Sequence, residues 1–200
     1  MKPLLTAQQL SFFSNNGFLE LAEFLSPEEC VQFLTIAQQS TSSRDLWRVS
    51  PAFKTLGLSQ KLPSIVLQAV DEGTLHLALD QWMEPGFTLE KPAKLTDLFS
   101  IQGLVCAVLF RFCSGDLPTA SAPLGLLPFP RTPGSALLVR PGLLLQWPPV
   151  SFGLYVIAYA RPKAVYVHNP RDPAGDALKK FGYAYGDVLR NDVHPLVQRK

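Results

Sequence analysis

Eight of the eighteen prolines fall between Pro118 and Pro149, which bars any long helix from the middle of the chain. Around them, from Thr74 onward, apolar residues come in short runs at 75–83, 99–112, 136–139, 143–147, 154–159 and 164–167, punctuated by Gly and Pro. Such runs read as strands joined by stiff connections. The residues before Thr74 follow another rule. Thr6-Ala7-Gln8-Gln9 fits a capping box ahead of Leu10 and Phe13, with Gly17 placed to end the turn. Ser26-Pro27-Glu28-Glu29 sets an N-cap Ser, Pro at the first helical position and Glu at the third, and Cys30, Phe33, Leu34 and Ala37 then recur at helical spacing. A short strand, Phe18-Leu19-Glu20-Leu21, lies between them. A third helix is expected from near Pro63 to before Gly73, and a helical turn over 176–181 closed by Gly182. Helices first and strands after predict an α+β, mainly β architecture: an antiparallel sandwich or barrel with an N-terminal helical layer. The 200 residues are expected to form a single domain, with 1–73 as the helical layer, 74–170 as the strands and 171–200 as a C-terminal extension.

Composition narrows the function classes. With 47% apolar and 17% charged residues the chain can build a core without disulfides or metal, and disorder and collagen are excluded. No apolar run approaches the ~20 residues that span a bilayer, and with an opening Met1-Lys2-Pro3-Leu4-Leu5 no signal peptide is expected. A soluble, cytoplasmic protein without a membrane partner is the expectation. Cys30, Cys106 and Cys113 are an odd count without a C-x-x-C pair, so buried, reduced thiols are expected; Cys106 and Cys113, seven apart, fall on opposite faces of a strand. The net charge of +2 conceals an asymmetry: residues 1–100 hold 7 Lys/Arg and 11 Asp/Glu, residues 101–200 hold 11 and 5. The basic half could attract phosphate-rich partners, but its bases are dispersed and no nucleic-acid motif accompanies them, so a solvated surface is expected.

Candidate chemistry is sparse. The phosphate loops G-x-x-x-x-G-K-[ST] and G-x-G-x-x-G are absent, and so is a G-x-S-x-G elbow. Trp47, Trp82 and Trp147 fit core or edge positions as well as a ligand pocket. The three histidines are His76, His168 and His194, and none begins His-x-Asp or His-x-Glu, the pairing an iron(II) oxygenase site needs. His76 and Asp80, four apart, would share a face on a helix or a strand and are the candidate metal ligands, although a strand would separate them by about 13 Å. His168-Asn169-Pro170-Arg171-Asp172-Pro173 is a turn by composition. There Arg171 could clamp a carboxylate, with His168 as a switchable donor, or Asn169 and Asp172 could simply bond their own backbone.

One stretch resembles a known family. Gln9-Leu10-Ser11-Phe12-Phe13-Ser14-Asn15-Asn16-Gly17-Phe18-Leu19, followed by Glu23-Phe24-Leu25-Ser26-Pro27-Glu28-Glu29-Cys30, is similar to the opening of phytanoyl-CoA dioxygenase-like proteins. The resemblance implies a double-stranded β-helix (jelly roll) and, in active members, Fe(II), 2-oxoglutarate and oxidation of an unactivated C–H bond. The family's His-x-Asp would lie within 97–110, which contains no histidine, and its second His near Leu145-Gln146-Trp147-Pro148, where none stands either. Arg161 is the nearest match to the family's 2-oxoglutarate-binding Arg. More loosely, the chain resembles small bacterial proteins labelled divalent-cation-dependent regulators, without a helix-turn-helix or His/Cys cluster to go with that label.

The expectation is thus an oxygenase-like jelly roll without the iron triad that binds a small molecule or a protein partner. Arg161, His168 and Arg171 are its candidate cofactor- or ligand-binding residues, and no catalytic residue is assigned. Two other readings stay open. One is an active Fe(II)/2-oxoglutarate oxygenase with atypical ligands drawn from His76, Asp80 or His168. The other is a metal-responsive DNA-binding regulator using the basic half, with nucleic acid the less expected partner.

Overall fold

Both capping boxes form. In a computed structural model that describes residues 4–59, 61–89, 91–115, 129–146, 151–172 and 174–199, Thr6 and Gln9 bracket the start of α1 (Ala7–Asn16). Gly17 closes that helix at φ 75°, its N–H donating to the Phe13 carbonyl. Ser26 and Glu29 do the same for α2 (Pro27–Gln39), with β1 (Phe18–Leu21) between the two helices. Three more helices follow: α3 (Leu46–Val49), α4 (Pro51–Leu58) and α5 (Lys61–Ala69). Only α5 corresponds to a helix expected from the sequence, and it starts two residues before Pro63. Then come the strands β2 (Thr74–Met83), β3 (Ile101–Arg111), β4 (Ala136–Val139), β5 (Leu154–Tyr166) and β6 (Leu196–Gln198).

All six strands join one antiparallel sheet in the order β1-β4-β3-β5-β2-β6. The N-terminal layer therefore supplies one edge of the sheet, and the last residues of the chain supply the other. The separate runs expected at 154–159 and 164–167 are one strand. Pro162, which has no N–H to give, sits where β5 bulges: Gln102 pairs with Val165 but Leu104 already pairs with Ala160. Gly103 faces that bulge at φ 104°, where a Cβ would lie 2.9 Å from the Ala164 Cβ. The expected strand at 143–147 is reduced to a single bridge between Leu145 and Ala93; Trp147 and most of the proline-rich stretch lie outside the described residues.

Each face of the sheet is buried. Phe13, Phe33, Phe53, Leu62 and Val66 of the helices cover one face, against Leu77, Val108, Phe110, Tyr155, Ile157 and Tyr159. The other face, with Leu79, Leu104, Ala107, Leu109, Val156 and Ala158, is covered by Leu95, Phe99, Leu145 and Phe152 from the connections and by Leu178, Tyr183 and Val193 from the C-terminal residues. The architecture is a mainly β, six-stranded antiparallel sheet with a helical layer on one side. Among the described residues no helix is long and apolar enough to cross a membrane.

Candidate functional site

His76 and Asp80 do not share a face. Leu77 pairs with Tyr159 and Leu79 with Ala158, so Ala78 is an extra residue that bulges out of β2. Alternation restarts one step out of phase after it. Asp80 pairs with Ile157 and faces the helices, whereas His76 pairs with Ala160 and faces the opposite side. The four-residue spacing that would align them in a regular strand fails because of that one residue.

Each side chain is committed where it sits. Asp80 is fully buried; it accepts the N–H groups of Leu46 at 2.7 Å and Trp47 at 2.8 Å and the Tyr155 hydroxyl at 2.5 Å. Those contacts hold the first turn of α3 against the sheet. Burial raises its carboxyl to about 7; the Tyr155 hydroxyl opposes the rise most strongly, and the neighbouring Asp45 adds to it. On the other face, His76 Nδ1 lies 2.6 Å from the His194 carbonyl oxygen, and the two imidazoles meet edge to face at 6.5 Å. Neither ring nitrogen of His194 makes a hydrogen bond of normal geometry. Burial, then the nearby Arg48 cation, lowers His194 to about 4, keeping it neutral. This pair anchors β6 and the C-terminal residues to β2.

The densest polar construction is the turn at 168–172. Asp172 is buried and accepts from Ser100 N at 2.8 Å, Ala174 N at 3.0 Å and Arg44 Nη2 at 2.7 Å. Asn169 accepts from Arg171 N at 3.0 Å and donates its amide to the carbonyls of Asp97 and Phe99. Both side chains bond their own turn, as its composition allows, but they also fasten it to residues 97–100. Arg44 is the member that sequence reasoning missed. It stands 128 residues from Asp172 and its surroundings match no motif, so only the fold brings the two together. The remaining candidates are scattered. Arg161 is exposed and pairs with Glu72 at 3.0 Å. His168 is exposed beside Tyr185, 3.2 Å from its hydroxyl, and that hydroxyl donates to Asp176. Arg171 is exposed and lines a cleft of about 400 Å³ together with Arg44. Cys30 and Cys106 are buried free thiols, and burial pushes Cys106 to about 12. Cys106 packs into the helix-side core and Cys113 against the other, on opposite faces as their spacing requires.

Comparison with solved structures gives this arrangement a context. The non-haem α-ketoglutarate-dependent carbocyclase SnoK from nogalamycin biosynthesis superposes with a TM-score of 0.70 at 13% identity, over 98% of this chain and 97% of SnoK. HygX from Streptomyces hygroscopicus, solved with iron bound, gives 0.57 at 17% identity over 92% and 97%. CT296 from Chlamydia trachomatis gives 0.56 at 13% identity over 80% and 97%. The chain is thus similar in fold to non-haem α-ketoglutarate-dependent SnoK and to iron-bound HygX. No protein-family model and no curated protein matches the sequence, so the phytanoyl-CoA branch rests on the opening residues alone.

Iron does not fit the donors found among the described residues. All three histidines lie among the described residues, and no group of three His, Cys, Asp or Glu able to hold a metal ion forms there. His76 and Asp80 are divided by the sheet, and His168 is exposed in the turn after β5. On β3, where the family resemblance places its first ligands, Leu104, Ala107 and Leu109 point to one side and Cys106, Val108 and Phe110 to the other. A facial triad needs three donors on one point, and these positions offer it one thiol held protonated by burial.

Proposed function

We propose that the chain uses the double-stranded β-helix of 2-oxoglutarate-dependent oxygenases as a binding scaffold, without their iron and without their turnover. The observation that supports this most is the Ala78 bulge, which turns His76 and Asp80 to opposite sides of the sheet and lets each take a structural role. The packed apolar residues on both faces of β3 support it further, because no donor cluster for a metal gathers there among the described residues. On this reading the protein presents a preformed cleft to a small molecule, and 2-oxoglutarate is not its cosubstrate. The test is anaerobic titration with Fe(II) followed by nitric oxide and electron paramagnetic resonance. The expected result is no stoichiometric mononuclear iron–nitrosyl signal and no oxygen uptake driven by 2-oxoglutarate. One bound iron per chain would overturn it.

A further inference from the structure

At the end of β2 the chain turns through residues 84–87, and a cleft of about 400 Å³ opens between this turn, residues 98–99 and the turn that carries Arg171. Met83, Pro85, Phe87 and Leu98 give it an apolar wall in which Phe87 is the exposed ring, while Trp82 and Phe99 reach it only with buried edges. Two guanidinium groups line it in different states. Arg44 is fixed: Nε donates to Gln81 Oε1 at 2.6 Å, Nη2 to Asp172 at 2.7 Å, and its Cζ lies 5.1 Å from the centroid of the Phe99 ring. Asp172 balances its charge. Arg171 is exposed, and its guanidinium has no ion pair among the described residues.

The backbone beneath Arg171 is nonetheless tied down. Its N–H donates to Asn169, and the Asn169 amide reaches the carbonyls of Asp97 and Phe99. The turn that supplies the unpaired cation is therefore stitched to the segment that borders the cleft through Leu98, and the two meet a ligand without first being ordered. A guanidinium fork beside an apolar wall that exposes the Phe87 ring matches one planar carboxylate on an aromatic body. Glu84, exposed on the same cleft, disfavours a second negative charge on the ligand.

We infer that this cleft binds a planar aromatic monocarboxylate, its ring system against Phe87 and Leu98 and its carboxylate on Arg171. The inference rests on the reading of the chain as a binding module and names the class of its ligand.

Isothermal titration with naphthoate, against its uncharged amide and against 2-oxoglutarate, tests it. Naphthoate is expected to bind one per chain, at least about tenfold more tightly than either comparator. Arg171→Gln, a surface change that leaves the fold intact, is expected to weaken naphthoate at least about fivefold, and Glu84→Gln to leave it equal or tighter. Equal binding of the amide, indifference to Arg171→Gln, or no binding of naphthoate at millimolar concentration would each overturn the assignment. Those failures leave the iron-free reading standing, because the nitrosyl signal decides that one separately. A stoichiometric iron signal beside Arg171-dependent naphthoate binding would instead sink the iron-free reading and spare the cleft.

Discussion

Asp80 and His194 make stability respond to pH in opposite directions, and removing either one unmasks the other. Asp80 has a carboxyl raised from 3.8 to about 7 by burial, so between those values the folded chain holds a proton that the unfolded chain has released. Its contribution to stability falls as pH rises, by about 1.4 kcal/mol per unit and roughly 4 kcal/mol across the window. His194 is lowered from 6.5 to about 4, so within that range the unfolded chain binds the extra proton and the contribution rises with pH. Across about three units or fewer it amounts to roughly 3 kcal/mol. The two slopes nearly cancel in the native protein between about pH 4 and 6.5. Asp80→Asn removes one of them and leaves the other, so the variant should gain stability as pH rises; His194→Leu should lose it. Asp80→Asn also turns an amide toward a buried donor, at a cost of about 1–3 kcal/mol. Urea denaturation at about pH 4.5, 5.5 and 6.5 reads the effect directly. For an m-value of about 2 kcal/mol/M each midpoint should move by roughly 0.7 M per pH unit, upward for Asp80→Asn and downward for His194→Leu. Curves for the two variants that shift in parallel with the native protein at every pH would refute the reasoning.

Tyr155→Phe removes the hydroxyl that most favours the Asp80 carboxylate, so that group should titrate above about 7, and stability should drop by about 1–2 kcal/mol in denaturant melts. Gly153→Ala places a methyl 2.3 Å from the Trp82 ring and 3.0 Å from the Met83 carbonyl oxygen. A loss of about 1–3 kcal/mol in thermal unfolding is expected, together with a change in tryptophan emission as the ring is displaced. Asp172→Ala leaves the Arg44 cation and Ser100 N–H without their buried partner, and should cost about 3–5 kcal/mol. Limited proteolysis should then cut at the loosened 168–172 turn before the rest of the fold.

The sequence made local chemistry readable and distant chemistry opaque. Capping boxes are closed within four residues, so Thr6 with Gln9 and Ser26 with Glu29 could be read directly. α3 escaped notice because its first turn is completed by Asp80, more than thirty positions away, rather than by a local cap. Its neighbour α4 begins at a Ser50-Pro51 cap that was there to be read. β6 is three residues long and is defined by pairing with β2, which a scan for apolar runs does not register. The His76/Asp80 alignment failed on a bulge, since one inserted residue inverts every side chain beyond it and nothing in Leu77-Ala78-Leu79 marks the insertion. The turn at 168–172 was legible because Asn, Pro and Asp make turns wherever they cluster. That the turn borders a cleft depends on residues 81–87 and 98–99, which only the folded sheet brings near.

Crystals grown with Mn(II) and measured at its absorption edge show whether His76 and Asp80 can share a metal ion. The account predicts no anomalous peak joining His76 to Asp80, because the sheet lies between them. A single peak about 2.2 Å from both side chains would contradict it, for that would require β2 to run without its bulge and the two donors to converge.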